Sequence, residues 1–137
     1  MASPFLVRMR QVVEETRLRK QKEKEELWDC LYRFLETTWD TFVPIAQVQL
    51  IRRAQEGSRL HHVSEFDCKE GISRFTQEDV DREFHSCVRV FEKQREERLL
   101  ADGLQVSART YPGSTKIVLT ATFKDPLAED VKSTKWK

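Results

Sequence analysis

The N-terminal third of the chain is a helix-forming stretch that is apolar at both ends and charged in the middle. Phe5, Leu6, Met9, Val12 and Val13 repeat at helical spacing, and so do Leu27, Trp28, Leu31, Phe34 and Leu35. Between the two stripes, residues 14–26 carry one large apolar side chain, Leu18. A helix rises about 1.5 Å per residue, so an unbroken one sets the stripes roughly 20 Å apart. One small core is hard pressed to bury both. Either a partner covers the N-terminal stripe, or the charged middle bends and brings both stripes to one core, or the stripes pack on different faces of the domain. A long coiled coil is not expected, because the apolar heptad lapses through 14–26.

The rest of the chain reads as a modest α+β domain. Ser3 and Pro4 make a favoured helix start. Glu15 with Arg19 and Asp29 with Arg33 are i,i+4 pairs that support the first helix. Residues 37–42 read as a boundary, and Pro44 as the first turn of a second helix carrying Ile45, Val48, Leu50, Ile51 and Ala54 and ending near Gly57. Residues 59–66 alternate weakly and predict a short strand. Thr76 followed by acidic residues opens a third helix, with Val80, Phe84, Cys87, Val88 and Phe91 on one face and Gly103 at its end. Leu104 to Thr110 and Ile117 to Phe123 alternate around turn residues and predict a hairpin, joined by the 59–66 strand in a small antiparallel sheet. The expected architecture is a long N-terminal helix, two further helices and that sheet. Residues 1–26 form a helical arm continuous with the domain, 27–125 a single domain, and 126–137 a tail.

Charge sorts the function classes. The chain has 137 residues, 39% of them apolar and 34% charged, with 24 Lys and Arg against 23 Asp and Glu. That near balance leaves no overall field to steer nucleic acid or acidic lipid. Arg17, Arg19, Lys20, Lys22 and Lys24 form a local basic cluster, the basis of an alternative reading as a nucleic-acid-binding protein. Acids flank the cluster, and no aromatic residue lies between Phe5 and Trp28 to stack on bases, so a solvated helical face explains it more simply. A helix followed by a hairpin resembles a winged helix in layout only. Asp79, Asp81, Glu83, Glu92, Glu96 and Glu97 on that helix would repel phosphate.

No catalytic, metal or cofactor motif stands out. His61, His62, Cys68, His85 and Cys87 lack the tight paired spacing of a zinc site. Glycine-rich phosphate loops and nucleophile elbows are missing from the sequence. Phe5-Leu6-Val7 is too short for a secretory signal and is interrupted by Arg8 and Arg10. Three widely spaced cysteines do not make a disulfide framework and favour an intracellular setting, the cytoplasm or a particle assembled there. The expectation is a non-catalytic structural subunit that self-associates or docks into a larger assembly, cellular or viral. Phe5, Leu6, Met9, Val12 and Val13 would make the protein contact. Trp136, in a polar tail, is a second anchor, because tryptophan is costly to leave exposed.

Overall fold

The computed structural model describes residues 2–127. Helix α1 spans Pro4–Gln55, strand β1 His61–Asp67, helix α2 Gln77–Ala101, strand β2 Leu104–Thr110 and strand β3 Lys116–Phe123. The architecture is α+β, with two helices covering one face of a three-stranded antiparallel sheet.

α1 is a single helix of 52 residues. Ser3 caps it, its hydroxyl accepting from the Leu6 N–H at 3.2 Å, and Pro4 occupies the first turn. In the charged middle Arg17 pairs with Glu14 at 2.6 Å and donates onward to Gln21, and Gln21 donates to Glu25. Asp29 and Arg33 pair at 3.1 Å. Such i,i+3 and i,i+4 contacts give each turn a little support where no apolar face is buried.

The boundary expected at 37–42 is not there, and the segment expected as a separate second helix continues the first. Two local facts carry the helix across. Thr37 and Thr38 turn their hydroxyls back to the carbonyls of Arg33 and Phe34, at 3.1 and 2.8 Å, and so stay within the helical pattern. Pro44 deprives the Asp40 carbonyl of its usual N–H partner, but both residues are exposed and water can replace it. Burial of Leu35, Trp39 and Phe42 before the proline, and of Ala46 and Leu50 around and after it, holds the two sides in line. The helix ends in a Schellman arrangement at Gly57, whose φ is +71°, with Ser58 N–H on Arg53 O at 2.8 Å and Gly57 N–H on Ala54 O at 3.2 Å.

β3 lies between β1 and β2 and is antiparallel to both. Its alternation puts Ile117, Leu119 and Ala121 on the buried face. Opposite them in register stand Phe66, Ser64 and His62 of β1 and Thr110, Ala108 and Val106 of β2. α2 starts where Thr76 accepts from the Asp79 N–H, and it buries Val80, Phe84, Cys87, Val88 and Phe91. Phe91 meets Trp39 and Tyr32 of α1 edge-on, with centroids 4.9 and 5.0 Å apart. The core therefore begins at Leu27 of α1, and nothing before that residue takes part in it.

Candidate interaction surface

From Ala2 to Glu25 every residue is exposed except Thr16, which is half-buried. The part of α1 before Leu27 is thus a free arm, roughly 35 Å long at the rise of an α-helix. Phe5 keeps 75% of its surface, and Leu6, Met9, Val12 and Val13 are also exposed. These five predicted contact residues share one end of the arm, and Val7 beside them is exposed too. The second predicted stripe has the opposite fate. Leu27, Leu31 and Leu35 are buried, and Trp28 and Phe34 pack against the core.

The arm leaves the body over an open groove of about 780 Å³ between α1 and the start of α2. Its walls carry both signs of charge, and several of these charges pair with one another. Glu83 takes a 2.8 Å hydrogen bond from the Trp28 indole N–H and faces Lys24 at 3.8 Å and Arg82 at 3.9 Å. Arg74 reaches Glu26 at 4.0 Å, and Arg82 also pairs with Asp79. The groove braces the root of the arm.

A second exposed apolar face escaped the sequence reasoning. The sequence places Ile45, Val48 and Ile51 on a separate second helix; in the continuous α1 the core takes Phe42, Ala46 and Leu50. Val48 remains 56% and Ile51 60% exposed, and Ile45 lies beside them. The signal was in the sequence: no charged residue occurs between Asp40 and Arg52, in a chain one-third charged. A solvated helix face would not be left so bare.

The basic cluster is spread around the arm rather than gathered on it. At 100° per residue Arg17, Lys20 and Lys24 fall on one face and Arg19 and Lys22 on the opposite one, so the cluster is split in two. Arg17 is tied to Glu14, and Lys24 faces Glu83. Trp136 lies outside the described residues.

The histidines and cysteines do not converge. His62 stacks on Phe42 with centroids 5.8 Å apart and faces the Ser64 hydroxyl at 3.3 Å, while adjacent His61 projects from the opposite side of β1. His85 sits 3.3 Å from the Thr110 hydroxyl. Cys68 donates to the Thr115 carbonyl at 3.1 Å, and burial, aided by the Asp67 charge, pushes its thiol up to about 12. Burial likewise pushes Cys87 up to about 11, with Glu83 adding to it. Both thiols are held in the protonated, unreactive form. Glu92 is half-buried beside β2, and that burial lifts its carboxyl above the ordinary range. Among the described residues no group of three His, Cys, Asp or Glu side chains could hold a metal ion.

The fold and its surface thus define a small α+β domain with a projecting helical arm and two bare apolar patches on one helix. Comparison with protein-family models, curated proteins and solved structures finds no match. Among the described residues no helix is long and apolar enough to cross a membrane.

Proposed function

We propose that this protein is a non-catalytic structural subunit that self-associates, or joins a larger assembly, through the N-terminal end of α1. The observation that carries the reading is the arm itself. Phe5, Leu6, Met9, Val12 and Val13 stand exposed at the tip of a helix that joins the core only from Leu27. Full burial of a side chain of this size is worth about 1.5–3 kcal/mol, so leaving the cluster in water forgoes several kcal/mol. Contiguous exposed apolar patches on soluble proteins mark interaction sites. Three unpaired cysteines suit a reducing compartment, such as the cytoplasm or a particle assembled there.

The test is the mass in solution by light scattering. The wild-type chain is expected to run as an oligomer, and Leu6→Asp with Met9→Asp to run as a monomer with an unchanged circular-dichroism spectrum. A wild-type monomer whose arm is protected from proteolysis would overturn the reading, because it would mean that the arm buries itself.

A further inference from the structure

Resting on that self-association reading, we propose that the occupant of both bare patches is a second copy of this chain, packed antiparallel along α1 so that the arm of each copy lies on the Thr41–Ile51 face of the other. The two patches are in phase. Leu6, Val13, Thr41 and Val48 are separated by whole multiples of seven residues, and so are Met9, Pro44 and Ile51. A left-handed pair of helices presents such positions along one seam, since supercoiling brings the repeat to 3.5 residues per turn. Continuity of α1 through Pro44 makes this phase meaningful, because it puts both patches on one rigid element.

Antiparallel pairing sets one class of seam position against the other and thereby fixes the register. Leu6 then faces Ile51 of the second copy, Met9 faces its Val48, and Val13 faces its Pro44. Further in, Thr16 faces Thr41, Lys20 faces Thr37 and Glu23 faces Phe34, again of the second copy. All the second copy's residues in these pairs are exposed in the free chain except Phe34, which is half-buried. The flanking charges agree with this register without having been used to choose it. Arg19 falls beside Asp40 of the second copy, and Glu26 beside its Arg33. Both pairs are of opposite sign, and twofold symmetry makes each of them twice.

The alternative of tip against tip is shorter. Pairing residues 5–13 with themselves covers only about 13 Å of helix, whereas Leu6 to Glu23 covers roughly 26 Å and occurs twice in the antiparallel dimer. Association costs at least about 4 kcal/mol in lost freedom, which favours the longer contact. The seam is interrupted at the twofold axis, where Leu27 is buried in its own core. The dimer therefore rests on two separate contacts rather than on one continuous coiled coil.

The experiment compares full-length variants by light scattering and disulfide trapping. Val48→Asp with Ile51→Asp changes only exposed residues and is expected to yield a folded monomer, as Leu6→Asp with Met9→Asp does. Chains carrying Met9→Cys and chains carrying Val48→Cys, both with Cys30→Ser, are expected to cross-link to each other when mixed and oxidised. Arg19→Glu is expected to weaken the dimer roughly tenfold, because the charge pair it reverses is made twice, and Asp40→Arg on the same chain to restore it. A dimer that survives Val48→Asp with Ile51→Asp, or that cross-links only through Met9→Cys to Met9→Cys, would overturn this geometry while leaving self-association through the arm intact. A wild-type monomer would overturn both.

Discussion

At the scale of single residues, the connection from α2 into the sheet depends on Gly103. Its φ of +79° lies in the left-handed region, and its carbonyl accepts from the Lys124 N–H at 2.8 Å, joining the end of α2 to the end of β3. A Cβ there would stand 2.8 Å from Phe123 Cε2 and 3.1 Å from the Lys124 carbonyl oxygen. Gly57 has a similar φ but nothing within 4 Å of an added Cβ. Left-handed backbone costs a non-glycine residue about 1–2 kcal/mol. Gly57→Ala is therefore expected to lose about that much in urea unfolding, and Gly103→Ala clearly more. Asp67 supplies a pH-dependent contact at the other end of the sheet. Its carboxylate accepts from the Thr115 hydroxyl at 2.6 Å and the Lys69 N–H at 2.9 Å. These bonds, the Thr115 one first, hold its pKa below the ordinary range. A depressed carboxylate pKa contributes stability above its unfolded value of about 3.9, and loses it as pH falls through the folded value. Asp67→Asn is expected to be less stable than wild type at neutral pH and to converge with it as pH falls through the folded value. A stability gap that stayed constant down that range would mean the carboxylate is not the source.

At the scale of elements, the interest lies in what α1 does at Pro44. An interior proline costs a helix about 3 kcal/mol through the lost N–H bond and the clash with the preceding turn. Here it is tolerated because buried residues on both sides fix the helix axis. Pro44→Ala is expected to raise the unfolding free energy by about 1–3 kcal/mol and to slow amide exchange around residues 40–48. No gain would mean that the helix has already relaxed around the ring. The same segment separates what was legible in the sequence from what was not. α2 was legible down to each buried residue, since Thr76 signals its start and Val80, Phe84, Cys87, Val88 and Phe91 form a single stripe on an otherwise polar helix. The hairpin was legible because its alternation has period two and its turn residues are unambiguous. The continuation of α1 was not, because threonines and a proline are local stop signals and only distant packing by the sheet and α2 overrides them. What the apolar residues Ile45, Val48 and Ile51 face was not legible for a related reason. Periodicity reports that a face is apolar and says nothing of which body covers it.

At the scale of the whole molecule, the stability of the core does not draw on the arm. The core draws on α1 only from Leu27 onward, whereas the arm contributes exposed apolar surface and the ion pairs at its root. Removing residues 1–20 takes away no buried side chain among the described residues and leaves Lys24 with Glu83 and Glu26 with Arg74 in place. The truncated chain is expected to keep its unfolding free energy within about 0.5 kcal/mol when both chains are compared as monomers, as surface changes usually do. The proposed self-association would add stability by mass action, so the thermal midpoint of the full chain should rise with protein concentration. That of the truncated chain should not move. A midpoint independent of concentration in both would place the arm's apolar cluster outside any self-contact, and a truncated chain that fails to fold would place the arm inside the folding unit. The separation also explains the composition of residues 14–26. A charged, pair-bonded strut keeps the two apolar regions far enough apart that the arm cannot collapse onto its own core, which leaves its tip available to another molecule.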